Sequence, residues 1–158
     1  MTNKCTIWYI CLMRSYEHTM NIEASPTAVW ARTVDVESWP SIFPTVTTVS
    51  RLDDGPFRIN SQARIKQPGQ PQRIWTVTEL EPDRRFVWTA RAKGFAMTAT
   101  HTVTPTDTKG TTNSLRLDLN GPLAVIIAAF YGRKLREILA IENQGFRAAA
   151  MSATITPA

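Results

Sequence analysis

One long amphipathic helix near the C-terminus constrains the fold of this chain more than any other stretch. Over residues 122 to about 151, apolar side chains recur at roughly 100° per residue, the period of an α-helix. The apolar face holds Leu123, Ile127, Tyr131, Leu135, Ile138, Gly145, Phe146 and Ala149. The opposite face holds Arg133, Arg136, Glu137, Asn143, Gln144 and Arg147. A helix with one apolar face needs a second layer of structure to cover that face.

Glu142 interrupts the apolar face of this helix. It lies between Ile138, Leu139 and Phe146 at helical spacing. A carboxylate in apolar surroundings needs a polar partner, or it stays protonated. Glu142 is therefore the first candidate functional residue.

The signal for the start of the helix is Asn120-Gly121-Pro122, because proline at the first helical position loses no hydrogen bond that the helix would make.

Length and composition indicate a single globular domain. The chain has 158 residues, of which 43% are hydrophobic and 20% are charged. The net charge is +5, but the basic residues are scattered and no recognition motif accompanies them, so we expect no nucleic-acid partner. Cys5 and Cys11 would lie roughly 20 Å apart in an extended strand. We therefore expect reduced thiols and a cytoplasmic protein.

The first residues of the chain are open to two interpretations. The apolar run over residues 7–13 is too short to span a bilayer and lacks a cleavage site, so no stable membrane insertion is expected. This run either prolongs the first strand or belongs to an extension before the domain. We assign residues 1–13 to an N-terminal extension, 14–151 to the folded domain and 152–158 to a tail.

The order of predicted elements indicates an α+β fold. Residues 16–24 alternate like a strand, and Ser25-Pro26 then starts a short helix with serine as its N-cap. A second, very short helix or turn runs over residues 38–43. From residue 46 to residue 120, Gly- and Pro-containing turns divide the chain into six predicted antiparallel strands. The long helix follows.

This order resembles the helix-grip fold of the SRPBCC superfamily, which includes START-like and polyketide cyclase-like proteins. The local echoes are Ile22-Glu23-Ala24-Ser25-Pro26, Val29-Trp30, Asp35, Trp39-Pro40, Gln67-Pro68-Gly69, Trp75-Thr76-Val77, Glu81-Pro82, His101, Gly110-Thr111 and Glu142. The resemblance implies a curved seven-stranded antiparallel sheet wrapped around the C-terminal helix, with two short helices between strands 1 and 2. It also implies a ligand pocket between sheet and helix.

Hairpin arithmetic assigns the inner face of the sheet, because residues opposite each other in antiparallel strands point to the same side. A two-residue turn at Pro82-Asp83 pairs Glu79 with Phe86, Val77 with Trp88 and Trp75 with Ala90. A similar turn at Lys93-Gly94 pairs Ala90 with Met97, Trp88 with Ala99 and Phe86 with His101. A loop of odd length around Pro68-Gly69 adds Ile65, Ala63 and Ser61 to the same three rows, and Leu115, Leu117 and Leu119 face inward from the last strand.

These rows predict a pocket that is apolar from its open end inward and polar at its closed end. The helix covers roughly 30 Å between its start and Glu142, so we expect Glu142 near Ser61, Glu79 and His101 at the polar end. The predicted ligand-binding residues are Trp39, Phe43, Ala63, Ile65, Trp75, Val77, Phe86, Trp88, Met97, Ala99, His101, Leu117, Ile127, Tyr131, Ile138 and Glu142.

The candidate acid–base residues are His101, Glu79 and Glu142, with His101 first because histidine titrates near neutral pH. Each has a structural alternative. His101 can be a satisfied interior histidine, Glu79 can be a solvated carboxylate at a strand end, and Glu142 can bond a group of the first short helix. The histidines lack a close-spaced partner ligand, so we expect neither a metal nor a covalent cofactor.

Three hypotheses of function remain open. The preferred one is a protein that binds a small hydrophobic or aromatic molecule. An enzyme that resembles polyketide cyclases or aromatases, with His101 as acid or base, is the second. The third is a protein-interaction module that resembles helix-grip activators of chaperones. Val125 and Ala129 point away from the pocket, and they either pack on a loop, form a homodimer contact or face a membrane as a gate.

Overall fold

The computed structural model describes residues 13–154. Its elements are β1 (Arg14–Ile22), α1 (Pro26–Val34), a 3₁₀ turn (Val36–Ser38), α2 (Trp39–Ile42), β2 (Thr48–Arg51), β3 (Gln62–Lys66), β4 (Arg73–Glu81), β5 (Arg85–Ala92), β6 (Phe95–Pro105), β7 (Thr111–Asn120) and α3 (Ala124–Thr154). Apart from Met13, the predicted N-terminal extension lies outside the described residues, as do residues 155–158 of the predicted tail. The helix α3 begins at Ala124, after Pro122, and continues beyond Met151 to Thr154.

The strands form one antiparallel sheet of seven strands in the order β1-β7-β6-β5-β4-β3-β2. The first and last strands of the chain are neighbours, with Arg14 opposite Leu119 and Ile22 opposite Thr111. The curved sheet wraps around α3, and α1 and α2 lie between β1 and β2. The predicted α+β helix-grip architecture is therefore confirmed.

The short helices form where the sequence signals them. The hydroxyl of Ser25 accepts a hydrogen bond from the Ala28 amide at 3.2 Å, and Pro26 follows at the first turn of α1. Val29 and Trp30 are buried on the inner side of α1, and the Trp30 ring packs edge-on against Phe86. This contact packs α1, which follows β1 in the chain, against β5 at the centre of the sheet.

The hairpin between β5 and β6 has the predicted register. Phe86 lies opposite His101, Trp88 opposite Ala99 and Ala90 opposite Met97. The next strand, β7, places Leu115, Leu117 and Leu119 opposite His101, Ala99 and Met97. The inner face predicted for these three strands is confirmed.

The predicted pairing of Glu79 with Phe86 is wrong. Glu81 pairs with Arg85, so the turn between β4 and β5 has three residues instead of two, and Leu80 lies opposite Phe86. A β-bulge between Val77 and Glu79 then restores the expected pairing of Val77 with Trp88. The extra turn residue changes the register only at the end of β4 next to the turn, and it moves Glu79 out of the predicted row with Phe86.

The hairpin between β3 and β4 has the predicted inner face but a different register. Ala63 lies opposite Trp75 and Ile65 opposite Arg73. Ile65 was expected opposite Trp75, so β3 is shifted by two residues along β4. Because side chains alternate with a period of two, this shift moves residues between rows without turning them to the other face.

The helix α3 buries a different set of residues from the one that its sequence predicts. Tyr131 was expected to face inward, but 62% of its surface is exposed. Asn143 was expected on the polar face, but it is fully buried. A Cβ on Gly132 would lie 2.9 Å from the Tyr16 hydroxyl, so the helix approaches β1 at this glycine. The close approach at Gly132 sets the rotation of the helix and leaves Tyr131 outside.

The start of α3 is anchored on the turn between β5 and β6. The Leu123 amide donates to the Gly94 carbonyl at 3.1 Å. A Cβ on Gly94 would lie 2.7 Å from Leu123 Cδ1, and Gly94 has a φ of +86°, which a residue without a side chain adopts at no steric cost. No helix of the described part of the chain combines the length and apolarity needed to cross a bilayer.

Candidate functional site

A cavity lies between the sheet and α3, with a volume of about 80 Å³. Its wall includes ten residues from the predicted ligand-binding set: Trp39, Ile65, Trp75, Trp88, Met97, Ala99, His101, Leu117, Ile138 and Glu142. They come from α2, from the inner face of β3 to β7 and from the second half of α3. Antiparallel pairing brings the strand residues together, and the long helix covers them.

Six predicted residues lie elsewhere. Phe43, Ala63, Val77 and Phe86 are buried in the core and do not line the cavity. Ile127 is half-buried, and Tyr131 is exposed on α3 one turn before Leu135, which does line the cavity. The rings of Phe43 and Phe86 pack against the wall residues Trp39 and His101, whereas Tyr131 lies outside the wall.

Aromatic rings form much of the cavity wall. Trp88 lies at the centre, with its ring centroid 5.2 Å from that of Trp39 and 5.3 Å from that of Trp75. The Trp39 pair is edge-to-face, an arrangement that aromatic quadrupoles favour. Such a wall offers a ligand polarizable apolar surface on several sides.

His101 lies in the cavity wall among aromatic rings. Its ring stacks on Phe86 at a centroid distance of 4.5 Å and an interplanar angle of 8°. Burial lowers the pKa of His101 to about 3, because the apolar surroundings disfavour the charged imidazolium. The buried Nδ1 has no hydrogen-bond partner within the described part of the chain. At neutral pH His101 is therefore a neutral ring with one polar atom unsatisfied.

Glu142 lines the same cavity from α3. Its Oε1 accepts a hydrogen bond from the Thr45 hydroxyl at 2.9 Å. Burial raises the pKa of Glu142 to about 7, and the bond from Thr45 opposes this rise by favouring the carboxylate. Near neutral pH both the acid and the carboxylate are populated, so Glu142 can donate or accept a proton inside the cavity.

Glu79 does not belong to this site. Its side chain is 58% exposed and pairs with Arg85 at 2.9 Å, and it is absent from the cavity wall. Ser61, also expected at the polar end, accepts from the Arg58 amide at 3.1 Å and donates to Asp53 at 2.9 Å. The bulge in β4 and the register of β3 keep both residues away from Glu142.

Several wall residues were missed by the sequence reasoning. Leu139 was noted only as a neighbour of Glu142, although it and Leu135 have the helical spacing of a shared face with Ile138. Gln67 and Gln70 come from the loop that contains Pro68-Gly69, which carried part of the family resemblance. Thr45, the partner of Glu142, had no sequence signal, because its position depends on how α2 packs against α3.

A buried amide network lies apart from the cavity wall. The Asn113 Nδ2 donates to Asn143 Oδ1 at 2.9 Å, and Asn143 Nδ2 lies 3.1 Å from both the backbone carbonyl and the Nδ1 of His18. These contacts join β1, β7 and α3. The network holds the helix on the sheet at the residue next to Glu142, so it has a structural role.

Among residues 13–154, no three His, Cys, Asp or Glu side chains are grouped as a metal site requires. The cavity wall brings together one neutral imidazole and one carboxyl with a raised pKa, beside polar residues that include Gln67 and Gln70. This arrangement can hydrogen-bond a polar group of a ligand and can move one proton.

The sequence model of a family described as polyketide cyclase / dehydrase and lipid transport matches residues 13–150. The chain belongs to this family. The resemblance to the SRPBCC superfamily predicted from the sequence is thereby confirmed. A sequence comparison with curated proteins finds no match.

Solved structures share the fold of this family member. TTHA0849 from Thermus thermophilus superimposes with a TM-score of 0.71 at 15% identity, over 89% of this chain and 99% of the other. A point mutant of Thalictrum flavum norcoclaurine synthase in complex with a transition-state analogue gives 0.71 at 14% identity, over 90% and 97%. The di-domain ARO/CYC StfQ from the steffimycin biosynthetic pathway gives 0.66 at 16% identity, over 92% of this chain and 51% of StfQ. At these identities the likeness shows the fold alone.

Proposed function

We propose that this protein binds a small, largely apolar ligand with an aromatic part in the cavity between the sheet and α3. The observation that carries the proposal is the composition of the cavity wall, which combines aromatic and aliphatic side chains with a few polar ones. Trp75, Trp88 and Met97 make it apolar, and its polar side chains include Glu142 and His101. Pockets of this composition bury an apolar body and orient it through a few polar contacts.

The polar residues define the chemistry of the ligand further. Glu142 and the neutral His101 favour a ligand with one uncharged hydroxyl or carbonyl group at its end. A charged group would lose its hydration without a free counter-charge, because Arg116 in the wall already pairs with Asp118 at 3.0 Å. The volume of about 80 Å³ limits the ligand to a small molecule unless wall side chains move. Membership of a family described as including lipid transport and cyclases agrees with an apolar ligand.

Native mass spectrometry of protein purified without denaturant tests this proposal, since a bound apolar molecule adds a discrete mass. A cavity-filling variant then locates the site. Ala99→Leu places a larger side chain in the cavity, and Ala96→Leu on the same strand serves as the matched control because it lies outside the cavity wall. We expect at least a tenfold loss of binding for Ala99→Leu alone. Equal binding by both variants would contradict the proposal.

A second candidate function is an enzyme of the cyclase or dehydrase type, and the raised pKa of Glu142 favours it. A buried carboxyl with a pKa of about 7 can act as acid or base near neutral pH, as proton-transfer catalysis requires. The low pKa of His101 argues for moving this role from His101 to Glu142. In this case Glu142→Gln abolishes turnover but preserves ligand binding. Turnover that survives the change would exclude Glu142 as the proton-transfer group.

The remaining interpretations stay predictions. They are the interaction module that resembles chaperone activators, the cytoplasmic location and the homodimer through the start of α3. A pull-down from cell extract with wild-type protein and with a Val125→Ser variant tests the interaction module. The absence of any partner that is sensitive to this change would remove its main support.

A further inference from the structure

The first turns of α3 present large apolar side chains to solvent. Phe130 is 82% exposed and Ile126 is 54% exposed, and with Leu123 they follow one stripe of the helix at helical spacing. Tyr131 flanks this stripe and is also exposed. Single exposed apolar residues are ordinary on protein surfaces, but four within nine positions on one side of a helix form a patch that marks an interaction surface. We call these four residues the apolar face.

The surroundings of the apolar face are basic. Arg133 and Lys134 continue the same side of α3 with side chains 93% and 61% exposed. Glu137 lies 3.0 Å from Arg133 and 3.7 Å from Lys134, so one carboxylate is shared by two cations. Lys93 is exposed on the turn whose Gly94 contacts Leu123. The sequence contains no Asp or Glu over residues 119–136 or 84–106, so the two segments that form and adjoin the apolar face carry only positive charges.

We propose that the apolar face docks onto the surface of an anionic lipid bilayer. Phenylalanine, tyrosine and aliphatic side chains enter the boundary between headgroups and acyl chains, and neighbouring Lys and Arg side chains attract anionic headgroups. A symmetric dimer fits less well, because a two-fold axis through the same face would set Arg133 and Lys134 near their own copies. The association is peripheral, since no described helix can cross the bilayer.

The apolar face lies next to the cavity. Tyr131 is one turn before Leu135 and two turns before Ile138 on α3, and both of these line the cavity. Docking would therefore bring the part of the cavity wall formed by Leu135 and Ile138 close to the membrane surface. An apolar ligand could then pass between bilayer and cavity with little exposure to water. The proposal goes beyond ligand binding and does not depend on it.

Co-sedimentation with lipid vesicles tests the docking. We would compare vesicles of phosphatidylcholine alone with vesicles that contain about one third phosphatidylglycerol, at low and at high salt. Wild-type protein is expected to bind the anionic vesicles selectively, and salt is expected to weaken this binding. The double change Ile126→Ser and Phe130→Ser is expected to lower the partition coefficient at least tenfold. The change Arg133→Gln with Lys134→Gln is expected to lower it about tenfold or more at low salt.

A matched control separates the face from general surface hydrophobicity. Ile59→Ser changes the same residue type at nearly the same exposure, 50%, in the loop between β2 and β3. This variant should bind vesicles like the wild type, and circular dichroism should show that every variant is folded. Equal binding to neutral and anionic vesicles would overturn the proposal, as would full binding by the Ile126 and Phe130 variant.

Sedimentation velocity without lipid tests whether a second copy of the chain, rather than a membrane, binds the apolar face. A dimer that dissociates on Ile126→Ser, together with no vesicle binding, would assign the face to a second copy of the chain and overturn the membrane proposal. Ligand binding in the absence of vesicles is measured separately on the wild type. Loss of vesicle binding with intact ligand binding would therefore refute only the docking.

Discussion

The carboxyl of Glu142 makes the stability of this protein depend on pH in a direction opposite to that of most carboxylates. The pKa of Glu142 rises from 4.5 to about 7 in the folded protein because the side chain is desolvated. Between these two values the unfolded chain releases its proton while the folded chain keeps it. Stability attributable to this residue is thus fully present below pH 4.5 and is lost as the pH rises toward 7. The change Glu142→Gln removes this dependence.

The size of the effect follows from the pKa difference. A difference of about 2.5 pH units corresponds to roughly 3 kcal/mol. Glu142 is mostly buried but keeps some exposure at the cavity, and solvent there screens part of the effect, so we expect about 2 kcal/mol. Glutamine keeps a carbonyl oxygen that can accept the bond from Thr45 and never ionises. The variant should therefore gain about 2 kcal/mol relative to wild type between pH 4.5 and pH 8.

Urea denaturation of both proteins at several pH values measures this gain. The free energy of unfolding of a small domain falls by about 1–3 kcal/mol per molar urea. The difference in midpoint urea concentration between Glu142→Gln and wild type should therefore change by about 1 M between pH 4.5 and pH 8. Glu79→Gln is the control, because that carboxylate is exposed and paired with Arg85. Its effect should stay below about 1 kcal/mol. A difference between wild type and Glu142→Gln that does not change with pH would refute the raised pKa of Glu142.

Three further predictions concern the interior. Asn143→Ala removes the partner of a buried amide and should cost about 2–3 kcal/mol in denaturant unfolding, whereas Gln144→Ala at the next, exposed position should cost little. Gly145→Ala should lower the melting temperature although alanine favours helices, because its Cβ would lie 2.9 Å from the Ile42 carbonyl oxygen; a higher melting temperature would contradict this packing. The pKa of His101 is lowered from 6.5 to about 3, so wild type should lose roughly 3 kcal/mol relative to His101→Gln between pH 6.5 and pH 4, as urea titrations at both pH values would show.

The fold was predictable because its signals are local and repeat along the chain. The serine cap and proline of α1 and the turn at Gly94 each follow from a few neighbouring residues. The pairing of Phe86 with His101 followed from one turn length and the alternation of strand residues. Most of the aromatic cavity wall is therefore predictable from turn lengths and strand alternation.

Errors arose where one extra residue or one rigid-body rotation changed the outcome. The turn after Glu81 has three residues, and this moved Glu79 out of the expected polar row. No local pattern distinguishes a two-residue turn from a three-residue turn with a compensating bulge. The rotation of α3 depends on the contact between Gly132 and Tyr16, which are far apart in the sequence, so the exposure of Tyr131 and the burial of Asn143 could not be read from helical periodicity.

The sequence by itself determined the order of the elements, the inner face of the sheet and the presence of a carboxyl on the apolar side of the last helix. These depend on period, turns and composition, which act over a few residues. Only the tertiary structure decided which polar groups meet. Packing of α2 against α3 brings Thr45 to Glu142, and packing of aromatic rings around His101 holds its pKa near 3. Desolvation and close contact depend on distances between remote segments, and such distances exist only once the chain is folded.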